Sequence, residues 1–182
     1  MNLLIAATQI FAFATGSRLW IEGQSSVHPW TCEAAAPQAH LEVDPTAPEM
    51  VRALQLKVEI AGIECGNGTM NDKLREALHA DKFPAIEYRL TQAERLPEAG
   101  TRIEATGDLS INGRTRRAAF QVDVKPQPDG TAQANGSIVM LMSDFGVEPP
   151  TAMLGLLRTA DEITVRFTVR TSLRAAPHAS AR

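Results

Sequence analysis

A chain of 182 residues, 44% of them apolar, is the size of one domain and has enough hydrophobic material for a core. Its net charge of −3 argues against a nucleic-acid partner, which needs a basic face to neutralise phosphates. The two cysteines lack the short paired spacing usual for structural zinc ligands.

Met1 to Thr15 is nearly all apolar or small. Ala12-Phe13-Ala14 has the small-x-small form of a signal-peptidase site, which makes 1–14 a candidate signal peptide and Thr15 the first mature residue. The stretch is shorter than the roughly 20 residues that span a bilayer. No Lys or Arg precedes the apolar run. Two readings stay open: an export signal, or a folded strand. Arg18 to Gly23 then alternates through Leu19 and Ile21. Val27 to Ala36 and His40 to Val43 are weaker, Ala-rich strand candidates. Val51 to Ile60 ends in strict alternation from Leu54 to Ile60, the pattern of a strand with one wet and one buried face.

Met70 to Leu78 switches to helical spacing, with Met70, Leu74 and Leu78 on one stripe. A helix over about 70–80 is expected, with Thr69 or Asn71 as its N-cap. Pro84 ends it, and Ile86, Tyr88 and Leu90 resume the strand period. Thr101 to Ile111 puts Ile103, Ala105, Gly107, Leu109 and Ile111 on one face. Asn112-Gly113 is a two-residue hairpin turn, and the basic run Arg114-Thr115-Arg116-Arg117 after it reads as a solvated corner. Arg116 to Lys125 faces inward through Phe120, Val122 and Val124. Pro128-Asp129-Gly130 is a further turn. Thr131 to Met142 and Glu162 to Leu173 are the last strands, the latter with Ile163, Val165, Phe167 and Val169 inside. Between them Glu148-Pro149-Pro150 forces a loop, and Thr151 to Leu157 suggests one helical turn. Residues 174–182 read as a disordered tail, leaving 15–173 as one domain.

About eight strands joined mainly by hairpins must hide an apolar face and two edges. Closing into one antiparallel eight-stranded barrel does both. The class is therefore all-β with one inserted helix. Small residues at inward positions (Ala105, Gly107, Ala132, Ala134, Gly136) leave room for a lumen, or relieve strand curvature. Flexible methionines such as Met140 suit an adaptable wall. The candidate lumen and mouth residues are His28, Trp30, Ile103, Ala105, Gly107, Phe120, Ala134, Met140, Phe145 and Phe167. No catalytic residues, metal or cofactor are expected. His28, Cys32, Cys65 and His79 lack metal-ligand spacing, and Gly66-Asn67-Gly68-Thr69 lacks the lysine of a phosphate loop. In an exported chain, Cys32 and Cys65 form one disulfide; otherwise they are two buried thiols.

Four stretches resemble the YceI-like family: Leu19-Trp20-Ile21-Glu22-Gly23 through Cys32, Met70-Asn71-Asp72-Lys73-Leu74-Arg75-Glu76-Ala77-Leu78 through Ile86, Gly107 through Gly113, and Asp144 through Thr151. The resemblance runs from about Ser17 to Val169. It implies an extended lipocalin-like barrel in a periplasmic or secreted protein. It also implies that a long-chain apolar or isoprenoid lipid is bound, stored or carried in the lumen. The alternative is a structural or stress-related envelope protein with a filled barrel and no ligand.

Overall fold

The computed structural model describes residues 9–35, 37–44, 47–96, 100–129, 131–152 and 156–173. The strands are β1 (Gln9–Phe13), β2 (Arg18–Ser25), β3 (Pro29–Ala34), β4 (Gln38–Asp44), β5 (Ala47–Glu59), β6 (Ile63–Glu64), β7 (Ala85–Arg95), β8 (Arg102–Ile111), β9 (Arg114–Pro126), β10 (Ala132–Leu141), β11 (Thr151–Ala152) and β12 (Leu157–Leu173). One helix, α1 (Gly68–Ala77), interrupts them between β6 and β7.

The sheet closes on itself in the order β1, β4, β5, β7, β8, β9, β10, β12 and back to β1, with every pairing in the ring antiparallel. One edge of β12 pairs β10. Its other edge pairs β2 over Thr159 to Thr168 and then β1 over Thr171 to Leu173. β1 and β2 thus form one broken path along β12. β3 and β4 form the next, since β3 pairs β2 and β4 pairs β1. β5 and β6 form a third, broken at the tight turn Ile60–Gly62. The expected eight strands are therefore present as eight paths. The sheet counts 12 strands because three paths are each broken once and the two-residue β11 is added beside β12.

Two expectations need correction, and a third stretch shows one of its two open readings in part. The helix spans Gly68–Ala77, not about 70–80, because Asn67 caps it: the Asn67 side chain accepts from the Met70 N–H at 3.0 Å. It stops where His79 takes a left-handed conformation (φ 48°). Thr151 and Ala152 pair with Arg158 and Leu157 as strand, so the expected helical turn over 151–157 is absent from its two ends; residues 153–155 lie outside the described ones. In the apolar N-terminal stretch, Gln9–Phe13 is a strand that joins β12 to β4. A chain starting at Thr15 would lack that join. Residues 1–8 and 174–182, which hold the rest of the signal and tail expectations, lie outside the described residues.

The ends of the barrel differ. The β4–β5, β7–β8 and β9–β10 connections lie at one end, and the β2–β3, β8–β9 and β10–β12 connections lie with α1 at the other. The first end is filled: Ile103, Ala105, Val122 and Val124 are buried together, with Ala93, Ala132 and Ala134 against them. At the second end the buried residues instead form a wall.

Candidate functional site

The wall begins with the way α1 is held. Asn71 is buried, and its side-chain oxygen accepts the Cys65 N–H at 2.7 Å while its amide donates to Glu64. This satisfies a backbone donor that the end of β6 would otherwise bury unpaired. Cys65 is joined to Cys32 of β3 by a disulfide. The other end of α1 is tied through His79, whose Nδ1 lies 2.9 Å from Asn112 Oδ1 in the β8–β9 turn. Asn112 in turn donates to the Gly146 carbonyl at 3.0 Å. Asn112 and Gly113 have φ 51° and 71°, the left-handed pair that a tight hairpin of this kind requires. Arg116 donates to the Asp144 carbonyl at 3.1 Å, so the basic corner also braces this loop. Held at both ends, α1 turns Met70, Lys73, Leu74 and Ala77 inward, spaced as one helical face.

Beneath that face lies a cavity of about 400 Å³. Its walls are almost wholly apolar: Leu19 and Ile21 from β2, Val58 from β5, Ile86 from β7, Leu109 and Ile111 from β8, and Ile163 and Val165 from β12 contribute. Strict alternation brings these residues inward, so each strand shows the lumen every second side chain. Trp20, between Leu19 and Ile21, is on the outer face, under the Arg18 guanidinium and donating to Glu22 at 2.9 Å.

The floor is aromatic. Tyr88 lies 5.5 Å from Phe120, and Phe120 lies 5.8 Å from Phe167, edge to face. Two glycines make room for these rings. A Cβ on Gly107 would meet the Tyr88 ring at 2.5 Å, and one on Gly136 would meet Phe167 at 2.4 Å. The volume that small inward residues leave is thus occupied at these positions by rings from neighbouring strands. Gly23 is related in the same way to Trp30, whose ring a Cβ would meet at 2.2 Å.

One polar atom is buried in this apolar setting. The Tyr88 hydroxyl has no hydrogen-bond partner among the described residues. Burial pushes the phenol up to about 12, and the Asp108 carboxylate adds to the shift. Tyr88 is the chain's only tyrosine, so phenolate absorbance reads it alone. The folded protein should titrate near pH 12, and the denatured chain near ~10. A folded pKa above the unfolded one means that this group's contribution to stability is complete below about pH 10 and is lost as pH rises towards the folded value. A folded midpoint near ~10 would place the phenol in water instead.

With this geometry in hand, comparison with known proteins is direct. The YceI-like domain profile matches residues 15–171. The chain belongs to the YceI-like domain family. Burkholderia cenocepacia BcnA superposes on this YceI-like chain with a TM-score of 0.72 at 20% identity, covering 86% of this chain and 96% of that one. A Saccharophagus degradans domain, described as polyisoprenoid binding and implicated in plant cell wall breakdown, gives 0.70 at 12% identity, over 91% and 99% of the two chains. The Campylobacter jejuni YceI protein gives 0.65 at 19%, over 80% and 85%. At these identities the likeness is one of fold. No curated protein matches the chain.

Within this YceI-like barrel, six of the residues singled out from sequence line the cavity: His28, Trp30, Phe120, Met140, Phe145 and Phe167. The other four do not. Ile103, Ala105 and Ala134 belong to the filled end, and Gly107 lies behind the Tyr88 ring. The alternation shows which face they are on but not how far along the axis the barrel is filled. Sequence reasoning missed Lys73 and Arg158, which also line the cavity. Lys73 was legible from its place one turn before Ala77. Arg158 was not: the β2–β12 register shifts between Thr159 and Ile163, so the inside–outside count along β12 does not carry to its start.

Proposed function

We propose that this YceI-like domain binds an apolar or amphiphilic lipid, polyisoprenoid-like in character, inside the barrel, and that it stores or carries it. The observation that carries this reading is the cavity: about 400 Å³, apolar-walled, floored by Tyr88, Phe120 and Phe167, and roofed by α1. Such a space favours an alkyl or prenyl chain by about 0.8 kcal/mol per buried CH₂. The polyisoprenoid-binding description of the Saccharophagus degradans neighbour supports the same ligand class. We read the role as binding and not catalysis. Both cysteines of the wall are bonded to each other, and the buried phenol is held neutral. The disulfide supports a periplasmic or secreted location, because such bonds persist in oxidising compartments. Among the described residues, no helix is long and apolar enough to cross a membrane.

Native mass spectrometry of protein purified from cells, followed by exposure to farnesol, tests the reading. The expected result is a lipid adduct that is lost on denaturation, or farnesol uptake with one molecule per barrel. A bare mass in repeated preparations, with no farnesol bound, would instead leave the barrel a structural unit of the envelope.

A further inference from the structure

We infer that the lipid taken by this cavity is a single-chain amphiphile with an anionic headgroup and a tail whose buried length ends at the aromatic floor. This rests on the lumen-binding reading and narrows it. The first observation is the charge of the cavity wall. Among the described residues its ionisable groups are His28, Lys73, Tyr88 and Arg158, and none of its described lining residues is Asp or Glu. That bias runs against the chain as a whole, in which 21 acidic residues outnumber 18 Lys and Arg.

The basic groups also share one end. Arg158 opens β12, and its backbone is tied to the β2–β3 turn: Ser26 N–H donates to the Arg158 carbonyl at 2.9 Å, and Arg158 N–H donates to Ser26 Oγ at 3.2 Å. His28 stands in that same turn, with Nδ1 2.8 Å from the Pro29 carbonyl. Lys73 comes from the inward face of α1 across the same end. Its partner Glu76, at 3.1 Å, is exposed and outside the cavity lining. One ammonium group offers three donors, so this pair leaves Lys73 able to serve a second acceptor. Cations beside an apolar wall attract an anion, leave a neutral hydroxyl with the tail's contribution alone, and repel a cation.

The second observation is depth. Below the aromatic floor the barrel is filled by Ile103, Val122 and Val124. A longer chain must therefore leave its surplus outside the mouth, where it gains nothing from burial.

Calorimetric titration, below the micelle concentration of each probe, tests both parts. The probes are the alkanoates from octanoate to octadecanoate, tetradecanol and tetradecyltrimethylammonium. Tetradecanoate should bind several-fold tighter than tetradecanol, with the ammonium weakest. Affinity should climb with alkanoate length and then level once the tail reaches the floor. Lys73→Gln with Arg158→Gln should bring the affinity ratio of tetradecanoate to tetradecanol down towards one. A salt series on the wild-type protein gives the same discrimination without any substitution, since added salt should weaken tetradecanoate and spare tetradecanol. Equal affinity for acid and alcohol, or a salt response common to both, would overturn the headgroup assignment while keeping the lumen reading. An unbroken climb to octadecanoate would overturn the depth. Failure of every probe and of farnesol to bind would instead overturn the lumen reading itself.

Discussion

Replacing Cys32 and Cys65 together by alanine should lower the unfolding free energy by about 3–4 kcal/mol. The bond closes a loop with a sequence separation of 33, and opening it returns that loop's freedom to the unfolded chain. Both cysteines are also buried, at 1% and 5% exposure, so removing their sulfurs loosens the packing of Ala34, Val58 and Ile63 around them. Urea unfolding of the wild type and the double variant measures the difference. Reductant should lower the wild type towards the variant and leave the variant where it is. A loss below about 1 kcal/mol would mean that the Asn67 cap and the Asn71 hydrogen bonds hold α1 in place without the crosslink.

The second large effect is expected at Gly136. Adding one methyl there by Gly136→Ala puts it 2.4 Å from the Phe167 ring and 2.9 Å from the Gln121 carbonyl. The ring must move, and overpacking of this kind costs roughly 1–3 kcal/mol. Because the nearest clash is with a side chain, Phe167→Leu in the same molecule should recover much of the loss, with a coupling of about 0.5–3 kcal/mol in the double-mutant cycle. Additive losses would show that the glycine is required by the backbone and not by the ring. Thermal melting of the four proteins gives the cycle.

These two sites show what the sequence could and could not tell. Alternation over Leu54–Ile60 and Ile163–Val169 identified strands and their inner faces, because period two is a property of the strand itself. Asn112-Gly113 identified its hairpin because few other pairs accept two left-handed residues. The use of the space beside a glycine is not local. Gly107 and Gly136 look like room for a ligand until the rings of Tyr88 and Phe167, from the strands alongside, are seen to occupy it. The same limit explains the ends. β11 exists by pairing with the start of β12, and β1 by pairing with β4 and the end of β12, so neither announces itself in its own few residues. Arg158 faces the cavity past a register shift that no count along one strand anticipates.

The pairing of β2 with β12 has a consequence for the order of events during synthesis. Arg18–Ser25 leaves the ribosome long before its partner Thr159–Thr168. Contacts so distant in sequence slow folding, since a long stretch of chain must be ordered before they form. Until then the β2–β3 hairpin has one bare edge and the growing sheet another, the state in which strands most readily pair with the wrong chain. It is also the state in which the lumen lacks a wall. A hydrophobic molecule that met the sheet before β12 docked would reach the lumen from the side, without passing α1. Refolding in the presence and absence of such a molecule would therefore differ in yield and rate, even where the finished barrels are the same.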